Sequence, residues 1–411
     1  MDEKDLRGVD FSSVKILIVH EVNYLSKIIY EFQILPEILS MQGHEITVID
    51  YNDSWDKDPN GEASTMRTTV HANVHRAYAG ASVTVRRPGM VRAPVISRIS
   101  GAVAAGLDVV RVIKRNRPDV ILLYGLPTVG VQSVLAARHF EVPIVFRAID
   151  VTHQLVPKTA LVGPTKLLEH FVFNSVDFVV AITPHLRKYI LSYDVPEERV
   201  RLLPSGVDSE LFSPGLRDNS LLRQWGIDPN DPVSLFLGTI YKFSGLDRVI
   251  TDYARVLSRC PRAKLLVVGV GEDEVRLKGL ARECGVPDSV IFTGLQPYAS
   301  LPAIIRCADV CINPFELNGI TENILPTKLF QYMTCQKPVL ATSLPGTRTF
   351  LAGEDEGVVY ASLDEFNDRL VELLLDTNRR AELGKHGYAA AKMYDWRAIA
   401  QTMASWLGEV V

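Results

Sequence analysis

The sequence predicts an α/β protein made of two similar, doubly wound parallel-sheet domains facing each other across a cleft. Three observations predict it. Short β-branched apolar runs alternate with amphipathic stretches at helical spacing, and that alternation starts afresh at Val233. The length, 411 residues, suits two domains at about 100–200 residues each. In open sheets of this kind ligands bind beyond the C-terminal strand ends, so both halves are expected to face one ligand.

The elements follow in order. Residues 15–20, Lys15-Ile-Leu-Ile-Val-His20, read as a buried parallel strand. Apolar spacing over 26–41 predicts a helix, Gly43-His44 ends it, and 45–50 form the next strand. Strand, helix and strand at this spacing make a right-handed crossover. Strands at 119–124, 142–147 and 177–182 continue the series. After the restart, 233–238 is a strand, 246–257 a helix, and 263–268 a strand running into Gly269-Val-Gly271. Further strands are expected at 290–293, 310–313 and 339–342. The join falls at Leu203-Pro-Ser-Gly-Val207, which divides the chain into domains 1–205 and 206–392 with a C-terminal helix over 393–411. Residues 52–100 carry little regular pattern and read as a long, partly mobile insertion.

Composition narrows the function. Hydrophobic residues at 47% and charged residues at 22% exclude a disordered chain, a collagen-like chain and a small disulfide scaffold. A net charge of −4 argues against a general nucleic-acid binder. No apolar run approaches the roughly 18–20 residues of a membrane span, and the charged N-terminus lacks a signal-peptide core. Cys260, Cys284, Cys307, Cys311 and Cys335 form no Cys-x-x-Cys pair and have no histidine at metal-ligand spacing. They read as reduced, mostly buried thiols of a cytoplasmic protein. From Arg86 to Arg117, seven arginines and one lysine stand against the single acid Asp108, a local charge of +7. Interleaved with Ile96, Ile99, Val103 and Leu107, this basic segment has two readings. It is either a surface that lies on the inner face of an anionic membrane or a solvated helix face beside a core stripe.

The strongest local signal is Asn318-Gly-Ile-Thr-Glu-Asn-Ile-Leu-Pro-Thr-Lys-Leu-Phe-Gln-Tyr-Met333. A loop rich in hydrogen-bonding groups runs into Pro326, which suits a first helical turn. The free amides of Thr327 and Lys328 and the helix dipole then make an anion site suited to a diphosphate.

At these residues the chain resembles the retaining, nucleotide-sugar-dependent glycosyltransferases of the GT-B fold, the glycosyl transferases group 1 (family 4-like). Gly43-His44-Glu45-Ile46-Thr47-Val48 is similar to their opening block, and Leu203-Pro-Ser-Gly-Val-Asp-Ser-Glu-Leu-Phe-Ser-Pro214 to their interdomain join. Leu266-Val-Val-Gly-Val-Gly271, Phe292-Thr-Gly294, Lys337-Pro-Val-Leu-Ala-Thr342 and Tyr394-Asp-Trp396 resemble further family blocks in the family's order. The resemblance covers nearly the whole chain. It implies two Rossmann-like domains, the C-terminal helix crossing back onto the first.

The resemblance also implies a chemistry. A nucleoside diphosphate-sugar binds to the second domain, a glycan or lipid-linked acceptor approaches from the first, and a hexose is transferred with retention. It places Gly238, Thr239, Lys242, Gly271, Thr293, Gly294, Asn323, Thr327, Lys328 and Gln331 at the donor. It places His20, Glu21 and Asn23 at the acceptor, and Asp150, His153 and Glu322 as candidates for the catalytic groups. A histidine has a pKa suited to moving a proton near neutrality. No metal and no cofactor is expected. The chain lacks the family's glycine pair around Tyr24-Leu25-Ser26 in the acceptor loop and departs from the family at four places on the donor side. Thr239 and Ser244 stand where an arginine and a lysine are usual, leaving Lys242 and Lys328 as phosphate ligands; Asn323 and Gln331 stand where two glutamates are usual. Amides still bind hydroxyls but offer no carboxylate. The alternative is therefore a catalytically silent homologue that binds a sugar nucleotide or a partner enzyme.

Overall fold

The computed structural model describes residues 13–52, 67–94, 96–156 and 159–411. The chain forms two compact units. One holds the residues up to Ile182, Leu186–Leu203 and Arg397–Val411; the other holds Thr183–His185 and Pro204–Trp396.

The first unit is an eight-stranded sheet. Its strands are β1 (Lys15–Val19), β2 (Glu45–Ile49), β3 (Thr69–Val74), β4 (Val83–Arg87), β5 (Val120–Leu123), β6 (Ile144–Ala148), β7 (Phe178–Ala181) and β8 (Val200–Leu202). They lie in the order β3-β4-β2-β1-β5-β6-β7-β8. Every pairing is parallel except β3 with β4. Helices α1 (Glu31–Met41), α2 (Ile96–Asn116), α3 (Gly130–His139), α4 (Val162–Ser175) and α5 (Pro184–Leu191) supply the crossovers. Strands β5 and β7 are apolar throughout, and β1 and β6 are apolar but for Lys15 and Arg147, because both sheet faces are covered. Leu17, Ile121 and Val179 pack with Val109 and Val112 of α2, Ala137 of α3 and Phe173 of α4. The C-terminal helix, Trp396–Gly408, belongs to this unit from Arg397 onward. Arg201 pins it, stacking on Phe178 and Trp406 and pairing with Glu409 at 2.7 Å.

The second unit is a six-stranded parallel sheet of β9 (Val233–Leu237), β10 (Lys264–Val268), β11 (Val290–Gly294), β12 (Val310–Asn313), β13 (Val339–Ala341) and β14 (Val358–Tyr360). The order is β11-β10-β9-β12-β13-β14. The two faces alternate along each strand. Phe236, Leu265 and Val267 join one core cluster, while Leu235, Leu237, Leu266 and Val268 join the other. No helix among the described residues is long and apolar enough to cross a membrane.

Three expectations are corrected. The irregular insertion expected over 52–100 contains two strands among its described residues, and β4 pairs in parallel with β2 inside the sheet. Residues 53–66, part of that reading, lie outside the described residues. Helix α1 begins at Glu31 instead of residue 26, because the chain ahead of it is folded into a loop by side-chain hydrogen bonds. The helix expected over 246–257 is two short helices, Leu246–Thr251 and Tyr253–Arg259, separated at Asp252.

Candidate functional site

Each sheet reverses its strand order once, between β1 and β5 in the first unit and between β9 and β12 in the second. A crevice opens beyond the C-terminal strand ends at such a point. The predicted site residues sort around these two points, and each unit is described by itself.

In the first unit three predicted acceptor residues follow β1. His20 is fully buried, its ring stacked on Tyr24 with centroids 6.0 Å apart and tilted against Phe32 at 5.3 Å. The Val22 N–H donates to its Nδ1 at 3.5 Å, and its Nε2 is buried without a partner. Burial pushes its pKa down to about 3, so the ring is neutral and carries its proton on Nε2, a buried donor left open.

Glu21 and Asn23 do different work from the acceptor contacts expected of them. The Glu21 carboxylate accepts the Thr128 and Val129 N–H groups at 2.6 and 3.1 Å and the Thr128 hydroxyl at 3.0 Å, with Arg98 at 3.5 Å. It thus satisfies backbone donors at the start of α3, which have no partner within the helix. Gly125 makes room for it, since a Cβ there would lie 2.6 Å from the Glu21 Cγ. Asn23 accepts the Leu25 and Ser26 N–H groups, each at 3.1 Å, and Arg87 at 2.6 Å, and donates to Asn52 at 3.1 Å. Asp50, buried, accepts the Tyr24 N–H at 3.0 Å and pairs with Arg87. Together these groups fold the loop that delays α1.

Asp150 and His153 follow β6. Asp150 is half-buried, and burial, with the Glu31 charge second, pushes its carboxyl up to about 6. Glu31 itself forms a fully buried pair with Arg147 at 2.6 Å. Arg147 also donates to the Leu203 carbonyl at 2.5 Å, and the Tyr124 hydroxyl donates to Glu31 at 3.2 Å. His153 Nδ1 lies 3.1 Å from an oxygen of Glu169, whose other oxygen accepts the His153 N–H at 3.1 Å. Tyr189 and Tyr193 donate to the same Glu169 at 2.6 and 2.8 Å. A carboxylate on Nδ1 fixes the proton there and leaves Nε2 as the open acceptor.

In the second unit Lys328 and Gly238 meet at the strand reversal. Lys328 begins the helix Lys328–Thr334, and the Leu237 N–H donates to Tyr332 of that helix at 2.8 Å. The Lys328 Nζ sits 4.0 Å from the Phe236 ring centre and 4.4 Å from that of Phe315. Two ring faces hold the ammonium, and no carboxylate pairs with it among the described residues. Burial pushes its pKa down to about 7. Gly238 has a φ of +131°, and a Cβ there would stand 3.1 Å from the Lys328 Nζ. The glycine therefore keeps the ammonium open. The helix has seven residues and Thr327 makes no side-chain cap, so positive charge here rests on the ammonium more than on the expected helix terminus.

The other donor candidates divide. Gln331 is half-buried with its amide unengaged among the described residues, and Glu322 is half-buried with its carboxylate likewise unengaged. Lys242 is exposed in the turn Lys242–Ser244. Ser244 is buried with its hydroxyl unpartnered. Thr239 is half-buried and its carbonyl accepts the Tyr241 N–H at 3.2 Å. Asn323 uses its Nδ2 on the Gly319 carbonyl at 3.0 Å. Thr293 donates to the Gly294 carbonyl at 3.2 Å, and Gly294 takes a left-handed φ of +70° that ends β11. Gly271 is structural, because a Cβ there would meet the Ile240 carbonyl oxygen at 2.2 Å.

Two groups escaped the sequence reading. Asn313 ends β12 at the reversal, fully buried, with both side-chain polar atoms unpartnered. A lone amide closing an apolar strand was its available signal. Glu169 gave none, since its link to His153 spans a helix. No group of three or more His, Cys, Asp or Glu among the described residues is arranged to hold a metal ion.

Residues 218–390 match the family model described as glycosyl transferases group 1, and residues 37–211 match that described as glycosyltransferase family 4. The chain is 27% identical over 329 residues to the GDP-mannose-dependent alpha-(1-6)-phosphatidylinositol monomannoside mannosyltransferase of Mycobacterium tuberculosis (strain CDC 1551 / Oshkosh), covering 74% of this chain and 84% of that protein. Its fold is similar to sucrose-phosphate synthase from Thermosynechococcus elongatus, with a TM-score of 0.73 at 16% identity over 97% of this chain and 99% of that one. It is equally similar to Anabaena HepE solved with UDP-glucose, at 0.73 and 18% identity over 96% of this chain and 100% of the other.

Proposed function

We infer that this chain, which belongs to the group 1 glycosyl transferases and has their GT-B fold, transfers a hexose from a nucleoside diphosphate-sugar to a glycan or lipid-linked acceptor with retention. That it is a glycosyltransferase using a nucleotide-sugar donor follows from the family; the hexose, the acceptor class and the stereochemistry are our reading. One observation carries it: a half-buried ammonium, Lys328, held against two ring faces with no carboxylate partner among the described residues and left open by a glycine at the point where the sheet reverses.

A buried cation without an anion is costly in the free protein. It becomes favourable when a diphosphate arrives, and more so when that diphosphate gains charge as it leaves. In the proposed step the bond from the sugar C1 to the β-phosphate oxygen breaks, with its electron pair going to the diphosphate. The acceptor oxygen bonds to C1 from the same face, and its proton passes to a diphosphate oxygen. Lys328 stabilises the leaving charge. Gln331 and Asn313 offer amides to hydroxyls of the donor. Asp150 and His153 are assigned to hydroxyl positioning on the acceptor side.

One set of observations favours the silent homologue. Ser244 is buried where the family lysine is usual, and Asn323 already donates to the Gly319 carbonyl. Calorimetric titration with UDP and with GDP, followed by incubation with radiolabelled UDP-glucose and GDP-mannose and a membrane lipid extract, separates the two. Binding with label transferred to lipid, and both lost in Lys328→Ala, supports transfer. Binding without transfer to any acceptor supports the silent homologue. Binding of neither nucleotide overturns transfer and leaves only a silent homologue that binds a partner enzyme.

A further inference from the structure

Helix α2 is inverted on its outer side. With 3.6 residues per turn, its buried residues Ala105, Asp108, Val109 and Val112 mark the face on the sheet. The opposite face would ordinarily be polar. Instead it carries Ile96, Ile99, Val103 and Leu107, spaced three, four and four residues apart and exposed by 51, 63, 54 and 51%. This stripe is continuous over about three turns and leads into Lys114 on the same line.

The charges around the stripe are of one sign. The only acid on the helix, Asp108, is buried and neutralised by Arg86, which donates to it twice at 2.8 Å. Arg87 is likewise engaged by Asp50. Two of the arginines in the basic segment therefore serve the interior. Those left on the surface of α2 are Arg98, Arg111, Lys114 and Arg115, all exposed. Arg98 turns toward Glu21 and Thr128, and Arg111 lies 3.8 Å from Asp108, which Arg86 already neutralises, so the exposed positive charge at the C-terminal end comes from Arg111, Lys114 and Arg115.

We propose that the outer face of α2 docks on an anionic lipid bilayer, with Ile96, Ile99, Val103 and Leu107 entering the headgroup–acyl boundary and Arg111, Lys114 and Arg115 on lipid phosphates. Charge complementarity selects this occupant. A helix of 21 residues lying flat presents an apolar strip beside an undivided positive edge, the pattern of an interfacial helix. A second copy would bring like charges together. The inference goes beyond glycosyl transfer and stands whether or not the chain is catalytically active.

The test is co-sedimentation of the full chain with vesicles of phosphatidylcholine alone and of phosphatidylcholine mixed with phosphatidylglycerol. The wild type is expected to sediment with the mixed vesicles and not with pure phosphatidylcholine, and to be released by high salt. The double variant Val103→Glu/Leu107→Glu is expected to bind more than about tenfold more weakly. Each alanine at Arg111, Lys114 or Arg115 is expected to weaken binding roughly fivefold. All five side chains are exposed, so circular dichroism and the melting temperature should be unchanged, which separates docking from folding. Failure of the wild type to bind mixed vesicles overturns the proposal, as does equal binding by the Val103→Glu/Leu107→Glu variant. A wild-type dimer that this variant converts to monomer, with no vesicle binding, overturns it in favour of a second copy on this face.

Discussion

The loop after β1 and the ends of β9 and β12 hold polar groups in opposite condition. Around the loop after β1, Glu21 is bonded to the Thr128 and Val129 amides, while Asn23, Asp50 and Arg87 are bonded to one another and to loop amides. At β9 and β12, the half-buried Lys328 ammonium and the fully buried Asn313 amide are unbonded to other protein polar groups among the described residues. An unsatisfied buried polar group costs about 1–3 kcal/mol. A protein keeps such groups where a ligand completes them. In these two regions the bonded groups hold the backbone in place and the unbonded ones stay open to a ligand, a difference that residue type alone does not show. His20, with its Nε2 open, is the one group after β1 on the ligand side of that division.

The largest expected effect tests the scaffold. Arg147 and Glu31 are fully buried and joined by two hydrogen bonds. Arg147→Ala leaves a buried carboxylate alone and is expected to lower unfolding free energy by about 3–5 kcal/mol in denaturant titration. Glu31→Met with Arg147→Met removes both charges and should recover most of that loss. If the single variant is as stable as the wild type, the pair is not scaffold.

Next comes Lys328. Lys328→Met is expected to weaken nucleotide binding by about 10²–10³-fold while raising the melting temperature, because an uncompensated buried charge gives way to an apolar side chain. The sign with pH follows from linkage. Burial lowers the lysine from 10.5 to about 7, so between those values the unfolded chain binds the proton that the folded one has released. Stability from this group therefore rises as pH climbs from about 7 toward 10.5. The melting advantage of the Met variant should shrink over that window. An advantage constant with pH would show that the ammonium is not withdrawn from water.

Asp150 gives the mirror case. Its carboxyl is pushed from 3.8 up to about 6 by burial and, secondarily, by Glu31. The folded protein then holds the proton more tightly between those values, and stability from this group is lost as pH rises through them. Asp150→Asn is expected to melt near the wild type at low pH and above it beyond about pH 6. A melting difference that does not grow with pH would place Asp150 in water.

Much of the architecture was legible because parallel strands buried on both faces are apolar runs; β1, β2, β9 and β12 lie within a residue of where the pattern puts them. Strand β4 was not, because Arg86 and Arg87 close it with charge, and only Asp108 and Asp50, distant in sequence, explain how a strand end tolerates them. Lys328 could be picked out from Pro326 just ahead of it. Its setting could not, since Phe236 lies 92 residues away and nothing local states that two rings would replace a carboxylate. Glu21 shows the converse: its place after β1 suggested a ligand, and the unpaired amides before α3 claimed it.

The smallest expected effect lies where scaffold and site meet. Glu169 has both oxygens engaged, like Glu21, yet one bond falls on His153 Nδ1 and so determines which ring nitrogen stays open. Glu169→Gln keeps the size of the side chain but can present an amide N–H to Nδ1, favouring the tautomer with the proton on Nε2. As a positioning residue it should lower kcat about tenfold with little change in KM for the donor, and shift the pH profile of kcat. Tyr193→Phe removes one of the bonds to Glu169 while leaving His153 its own, so it should cost stability without moving that profile. Equal profiles for wild type and Glu169→Gln would return His153 and its carboxylate to the scaffold, beside Glu21.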